Sequence, residues 1–406
     1  MSIKKVFFIL ACVCILTYAN SLNNKFVSDD FDSIPNNPLI AEPSHYWLFP
    51  SNMLNSFAYL ISKFNPVTYH LVSILSHMIA TSLVFLFLRF FFKQEASLLG
   101  ALLFATMAIH TEAVTWISGR PYIITAVFLL VGYFLYHYAA DSINPLKADI
   151  ANDAPLYFAR HPTAGKSSRI AAYALCLLIF LYYLWDNFFF YFAFPIFLML
   201  SDVSFRPGRK KWRWQIALKW LPFFAAVCLR LALAKSTIDS RIADVARDAG
   251  SAGASWSSPL EGIHFNMVYS LTRHIGLLIW PGNLTLYHEP PVILVYQLVL
   301  GTIALGLVLI ALPVIYRKSR ELFFAILLFV IFLGPTFSPV MVSWLLAERY
   351  LYFPSIALSI TSAYFYEKYA CKNKRIREIA LGIFLFVIAA NGARAVARNQ
   401  DWKSPE

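Results

Sequence analysis

Charge is what this 406-residue sequence has least of. Asp, Glu, Lys and Arg supply 14% of the residues and 59% are hydrophobic, whereas an average soluble domain is roughly a quarter charged. A water-soluble globular protein is therefore excluded. Cysteine is scarce as well. Cys12, Cys14, Cys176, Cys228 and Cys371 show no CxxC or metal-ligand spacing, and four of them sit inside apolar runs, which excludes a disulfide framework and a zinc site. Acids are outnumbered by bases, 22 to 34, for a formal charge of +12. The bases cluster in short loops between apolar runs, where they orient helices in a bilayer rather than bind nucleic acid.

The sequence is rich instead in long apolar runs, and its mean hydropathy is +0.60. A helix crossing the hydrocarbon layer needs about 20 apolar residues. Eleven candidate spans follow: 3–22, 69–92, 97–116, 122–139, 170–185, 188–200, 214–234, 292–315, 321–337, 350–366 and 379–393. As one helix, 170–200 would reach about 46 Å, beyond the ~30 Å core, so two short crossings joined near Asp186 and Asn187 are expected. The apolar stretch before Cys12 is too short for a cleaved lipoprotein signal. The start therefore reads as an uncleaved helix, Ile3 to Leu22, with Lys4 and Lys5 reaching the cytoplasmic side.

Charge placement tests this topology. The side holding the N-terminus collects Lys4, Lys5, Arg89, Lys93, the loop 140–169, the run Arg206 to Lys219, Arg317 to Arg320 and Lys368 to Arg377, which is 22 of the 34 bases against 8 acids. The positive-inside rule then puts the N-terminus in the cytoplasm and the C-terminus outside. Two outer loops are long. Residues 23–68 carry Tyr46, Trp47, Phe49, Phe57 and Tyr59, a composition suited to interfacial helices. Residues 235–291 begin with a Ser/Ala/Gly-rich stretch, and Phe265 to Trp280 reads as an interfacial or re-entrant helix, since a full crossing would turn the later basic loops outward. The expected fold is an all-α polytopic membrane protein: one transmembrane domain over 1–393, and a short outer tail, 394–406, with no repeat domain.

Three clusters carry the polar chemistry, and the topology places all of them at the outer face. Asp29 and Asp30 follow the first span directly. Adjacent carboxylates near a low-dielectric boundary repel one another, and one so placed can take a proton from an acceptor hydroxyl; a solvated acidic loop is the competing reading. The second cluster runs from His110 to Arg120 and includes Glu112. Ionisable groups at membrane depth face a polar cavity or a partner. His110 and Glu112 suit sugar hydroxyls or proton transfer, and Arg120 suits a phosphate, although for His110 alone a structural hydrogen bond is the simpler role. The third cluster, Ala347-Glu348-Arg349-Tyr350-Leu351-Tyr352-Phe353-Pro354, offers a guanidinium able to make paired bonds to phosphate oxygens. A Glu348–Arg349 ion pair is disfavoured because adjacent helical side chains diverge by about 100°.

Taken in order with Tyr69-His70-Leu71-Val72, His77 and Trp280-Pro281-Gly282-Asn283-Leu284, these motifs resemble the TMTC-like transmembrane O-mannosyltransferase family, whose members usually carry tetratricopeptide repeats, within the GT-C glycosyltransferases. The resemblance runs from about residue 6 to Asp401-Trp402. It implies a GT-C-like fold and an inverting transfer of a sugar, mannosyl or a related hexose, from a polyprenyl- or dolichyl-phosphate donor to a protein or glycan hydroxyl at the extracytoplasmic face. It implies Asp29 or Asp30 as the general base, with preference for Asp29, and a pocket lined by His110, Glu112, Arg120, Glu348, Arg349 and Tyr352, with Arg349 on the phosphate. It also implies a multi-pass location, in the inner or plasma membrane of a bacterium or the ER membrane of a eukaryote.

The chain departs from the family pattern in two places. Asp186-Asn187 stands where relatives commonly have Lys-Glu, and Pro121-Tyr122-Ile123 follows Gly119-Arg120 in place of Lys-Asp-Leu. No metal ligand set is expected: the paired Asp could hold a divalent cation, but two carboxylates alone make a poor cage. Two other functions compete: a lipid-linked-sugar transporter or flippase, which would place ionisable groups near mid-membrane, and an inactive scaffold.

Overall fold

The computed structural model describes residues 1–42, 50–141, 165–186, 191–205, 212–240, 242–243, 259–282, 284–285, 288, 295–338, 344–370 and 373–404. Tyr46, Trp47, Phe49, Asn187, Cys371, Asn283 and most of the loops 140–169 and 206–219 lie outside the described residues or side chains. Among the described residues there is helix and no strand. In chain order the helices are α1 Ile3–Tyr18, α2 Asp30–Ser33, α3 Pro50–Ser62, α4 Pro66–Leu88, α5 Gln94–Thr106, α6 Thr111–Thr115, α7 Pro121–Asp141, α8 Lys166–Asp186, α9 Phe194–Phe205, α10 Trp212–Leu233, α11 Pro259–Ile279, α12 Val295–Lys318, α13 Arg320–Leu333, α14 Ile356–Tyr369 and α15 Lys374–Arg398.

Seven stretches among the described residues are long and apolar enough to cross a membrane, or eight if the pair Gln94–Thr106 and Ala108–Thr115, bent by 51°, counts as one span. The sequence reading expects eleven. Part of the difference lies in α9 and α14, which have 12 and 14 residues, short of the roughly 20 a full crossing needs. Among the described residues, the long helices keep apolar surface uncovered: in α12 Leu307 is 63% exposed and Ile310 75%, and in α15 Phe386 is 74% exposed. Leaving such side chains in water costs about 1.5 to 3 kcal/mol each, and a lipid environment removes that cost. The protein is a multi-pass membrane protein.

The chain divides into two compact units, Met1–Asp186 with Ser355–Glu406, and Asn187–Pro354. In the first, α4 packs on α1, α5 and α7, α7 on α8, and α14 and α15 on α5. Small residues permit the close contacts: a Cβ added at Gly100 would stand 2.7 Å from Leu88 Cδ1 and 3.0 Å from the Ser359 carbonyl. Polar ties hold the two ends of this bundle. At the basic end the Met1 ammonium donates to Gln94 Oε1 at 3.1 Å, and Arg377 and the Tyr366 hydroxyl both donate to Glu95. The opposite end collects residues 19–34, the start of α4, the segment 110–120 and Asn399–Trp402, as alternating helix directions require.

In α3 the polar Asn55 and Ser56 are buried while Phe57, Leu60 and Ile61 are exposed. That inverted amphipathicity fits the interfacial helix expected in the first outer loop.

The second unit is built around Phe197, which packs on Phe324, Phe332 and Phe353. In it α11 lies against the first turns of α12, where Val268 Cγ1 comes within 2.5 Å of a Cβ built on Gly301. It also touches the 3-10 turn Gly334–Phe337 that ends α13, and the 3-10 turn Glu348–Leu351.

Candidate functional site

The acid turn begins at Ser28, whose φ of 50° lies in the left-handed region that a non-glycine residue rarely occupies. The chain then reverses into α2, with Asp30 N donating to Val27 O at 3.0 Å and Ser33 N to Asp29 O at 3.0 Å. Successive residues of a helical turn diverge by about 100°, so the two carboxylates part company. Asp29 is exposed, with one oxygen accepting from Ser28 Oγ at 3.2 Å. Asp30 is fully buried. Its Oδ2 accepts from Val27 N at 3.1 Å, and its Oδ1 from Ser118 N at 2.8 Å and Ser118 Oγ at 2.6 Å. Beneath the turn, Phe26, Ile34, Ile40, Ala58, Tyr69 and Ile117 form an apolar floor.

Burial pushes Asp30 from the ordinary 3.8 up to about 6, against the opposing pull of the Ser118 and Val27 hydrogen bonds and the Arg120 guanidinium. A carboxyl that holds its proton more tightly when folded contributes its full stability below the unfolded value, and that contribution is lost as pH rises through the folded value. The thermal stability of the unmodified chain, measured relative to Asp30→Asn in detergent, is therefore expected to rise by roughly 1.4 kcal/mol between pH 7.5 and pH 5. A difference that stays flat or falls toward pH 5 rejects this account.

Arg120 is buried behind the turn. It donates from Nη1 to the Tyr69 carbonyl at 3.2 Å and from Nη2 to Asn55 Oδ1, so α3, α4 and the segment 110–120 meet at its guanidinium. His110 is also buried; its Nε2 lies 2.9 Å from Ser355 Oγ, and its ring packs on Phe104 and His77. Glu112 is buried in α6. Its carbonyl would be 2.3 Å from a Cβ at Gly119, so only glycine lets the segment fold back on itself there and present Ser118 to Asp30. These five residues thus share one end of the first unit, with Asp29 alone exposed among them.

Glu348, Arg349 and Tyr352 belong to the second unit. The first two lie in the turn Glu348–Leu351 and Tyr352 follows it, all three buried. The Arg349 guanidinium carbon is 5.2 Å from the centroid of the Tyr350 ring. Glu348 Oε1 is 4.0 Å from His288 Nε2, and nearby the buried His274 bonds Ser270, whose hydroxyl meets that of Thr336. Sequence reading singles out neither His288 nor Asn55, Ser118 and Asn399; nothing in an isolated Asn or Ser marks its distant partner. Among the described residues, no group of three or more His, Cys, Asp or Glu gathers as metal ligands do.

No protein-family model matches the chain. Protein O-mannosyl-transferase TMTC3 of Mus musculus is 25% identical over an alignment that takes in all of this chain and 46% of the relative. Its Homo sapiens counterpart is 24% identical over all of this chain and 47% of its own length. Protein O-mannosyl-transferase Tmtc1 of Drosophila melanogaster is 32% identical, over 31% of this chain and 17% of its own. A solved oligosaccharyltransferase of Archaeoglobus fulgidus, in complex with a tethered acceptor peptide, aligns over 98% of this chain and 55% of its own at 12% identity, with a TM-score of 0.48. The chain spans about half the length of the two TMTC3 relatives. Along its whole length it is similar to the TMTC protein O-mannosyl-transferases, the family that its motifs resemble.

Proposed function

We propose that this protein is a glycosyltransferase that moves a sugar, mannose in the first instance, from a polyprenyl- or dolichyl-phosphate carrier to a hydroxyl of a protein or glycan at the extracytoplasmic face. The observation that carries this reading is the acid turn, where one carboxylate is buried and fully hydrogen-bonded while its neighbour is held out at a bundle end. Asp29 takes the proton from the acceptor hydroxyl as that oxygen attacks the anomeric carbon. The carbon–phosphate oxygen bond breaks on the opposite side, so the configuration inverts. Asp30 and Arg120 hold the turn. Arg349 neutralises the charge that develops on the departing phosphate, and His110, Glu112, Glu348 and Tyr352 shape the surroundings. The similarity of this whole chain to about half the length of protein O-mannosyl-transferases supports the reading, as does the gathering of Asp29, Asp30, His110, Glu112 and Arg120 at one end of the first unit, whereas a transporter places its ionisable groups near mid-membrane.

The test is transfer by the purified chain in detergent, where no gradient exists, using radiolabelled dolichyl-phosphate mannose and Ser/Thr peptides. Label is expected to leave the lipid and appear on peptide. If the label stays on the lipid with every polyprenyl-phosphate hexose tried, the enzyme reading is lost.

A further inference from the structure

Asn399, just beyond α15, is completely buried and is bonded to two distant segments, 17–24 and Thr115. Its Nδ2 donates to the Thr17 carbonyl at 2.9 Å and to Asn20 Oδ1 at 2.6 Å, both where α1 runs into the acid loop. Its Oδ1 accepts from Thr115 Oγ1 at 2.6 Å, and its own carbonyl accepts from Asn24 Nδ2 at 2.9 Å. The adjoining residues repeat the tie: Lys25 N donates to the Lys403 carbonyl at 3.1 Å, and Trp402 stacks on Trp116 at 5.6 Å.

The consequence is geometric. The Asp29 turn hangs between two supports, the segment 17–25 and Ser118, and both lead to one side chain. Asn399 grips the first directly and reaches the second through Thr115, three residues before Ser118. A buried amide with both donors and its acceptor engaged holds a single arrangement. We propose that Asn399 is a positioning residue for the proposed base: the end of α15 is the anchor that sets where Asp29 stands, and loosening it lowers the transfer rate without weakening donor binding. This rests on the reading of Asp29 as the base.

The test uses the full chain carrying Asn399→Ala. Backbone amides of residues 24–34 are expected to exchange at least tenfold faster while those of α4 and α5 keep their protection, and kcat is expected to fall at least tenfold with the donor KM within threefold. The exposed pair Lys25 and Lys403 supplies a rescue. Their backbones are joined by the 3.1 Å hydrogen bond, which brings the two positions close enough for a cross-link to be tried. Oxidised Lys25→Cys/Lys403→Cys in the Asn399→Ala background is expected to recover at least half of the lost kcat and to lose it again on reduction. Thr115→Val removes a single tie and repeats the measurement if Asn399→Ala does not fold; Thr115→Ser keeps the hydroxyl and is expected to retain wild-type turnover. Unchanged exchange at 24–34 in a folded variant overturns the proposal, as does faster exchange with no recovery on oxidation. If the unmodified chain shows no turnover, the enzyme reading fails, and the exchange data still decide whether Asn399 holds the turn.

Discussion

Asp29→Asn is expected to lower kcat for mannosyl transfer by about 10²- to 10⁴-fold, the range a positioned general base contributes, while the donor KM stays within a few-fold. The rate alone is expected to change because the proposed base acts on the acceptor proton, and that proton moves only as the new bond forms. Asp30→Asn has a different expected outcome. Asn retains an oxygen for Ser118 but turns an amide N–H₂ toward Val27 N, which already donates there. One mismatched buried bond costs about 1 to 3 kcal/mol, so Asp30→Asn should lower thermal stability and reduce kcat by no more than about tenfold. Initial rates with labelled donor separate the two variants. A second readout does not depend on stability: an acceptor with a more acidic hydroxyl has less need of a base, so it should narrow the gap between Asp29→Asn and the unmodified chain. If Asp30→Asn proves the deeper loss in a folded protein, or if Asp29→Asn turns over normally, the base is not Asp29.

How much of this was legible in the sequence depends on the range of each interaction. The long spans were legible because an apolar run of about 20 residues has one cheap environment, and Pro66–Leu88 and Val295–Lys318 stand close to where their runs predict. The bend after Thr106 was not, since hydropathy averages over it and only the 3-10 turn Ala108–His110 shows the break. The adjacency of Asp29 and Asp30 marked the acid turn, but two neighbours of identical chemistry give no clue to which one is buried. That is decided by Ser118, 88 residues away. Arg120 is a similar case. A guanidinium near the outer face suggests phosphate, whereas its actual partners, Asn55 and the Tyr69 carbonyl, carry no signature in sequence. Asn399 was invisible for the same reason: its partners lie 284 and more residues away.

Arg349→Lys is expected to lower kcat/KM for the lipid-phosphate donor by about 10²- to 10³-fold, comparable to deleting one donor from an oxyanion site. The substitution keeps the positive charge and so tests geometry. A guanidinium presents two parallel N–H groups to two phosphate oxygens, whereas an ammonium is a single point donor. Arg349 is 8% exposed in a short 3-10 turn that begins at Glu348, itself within 4.0 Å of His288. From the same buried turn a lysine presents a single flexible donor in place of the planar fork. The loss should fall on kcat more than on KM, because phosphate charge grows as the sugar departs. A donor whose leaving group is a stronger acid, such as a polyprenyl diphosphate sugar, should therefore be less sensitive to the change. Glu348→Gln serves as the control for the turn: it keeps size and removes the charge beside His288, and it should cost less than tenfold. Should Arg349→Lys leave kcat/KM within threefold, or should the two variants lose activity equally, the phosphate contact belongs to another cation and Arg349 serves the fold alone.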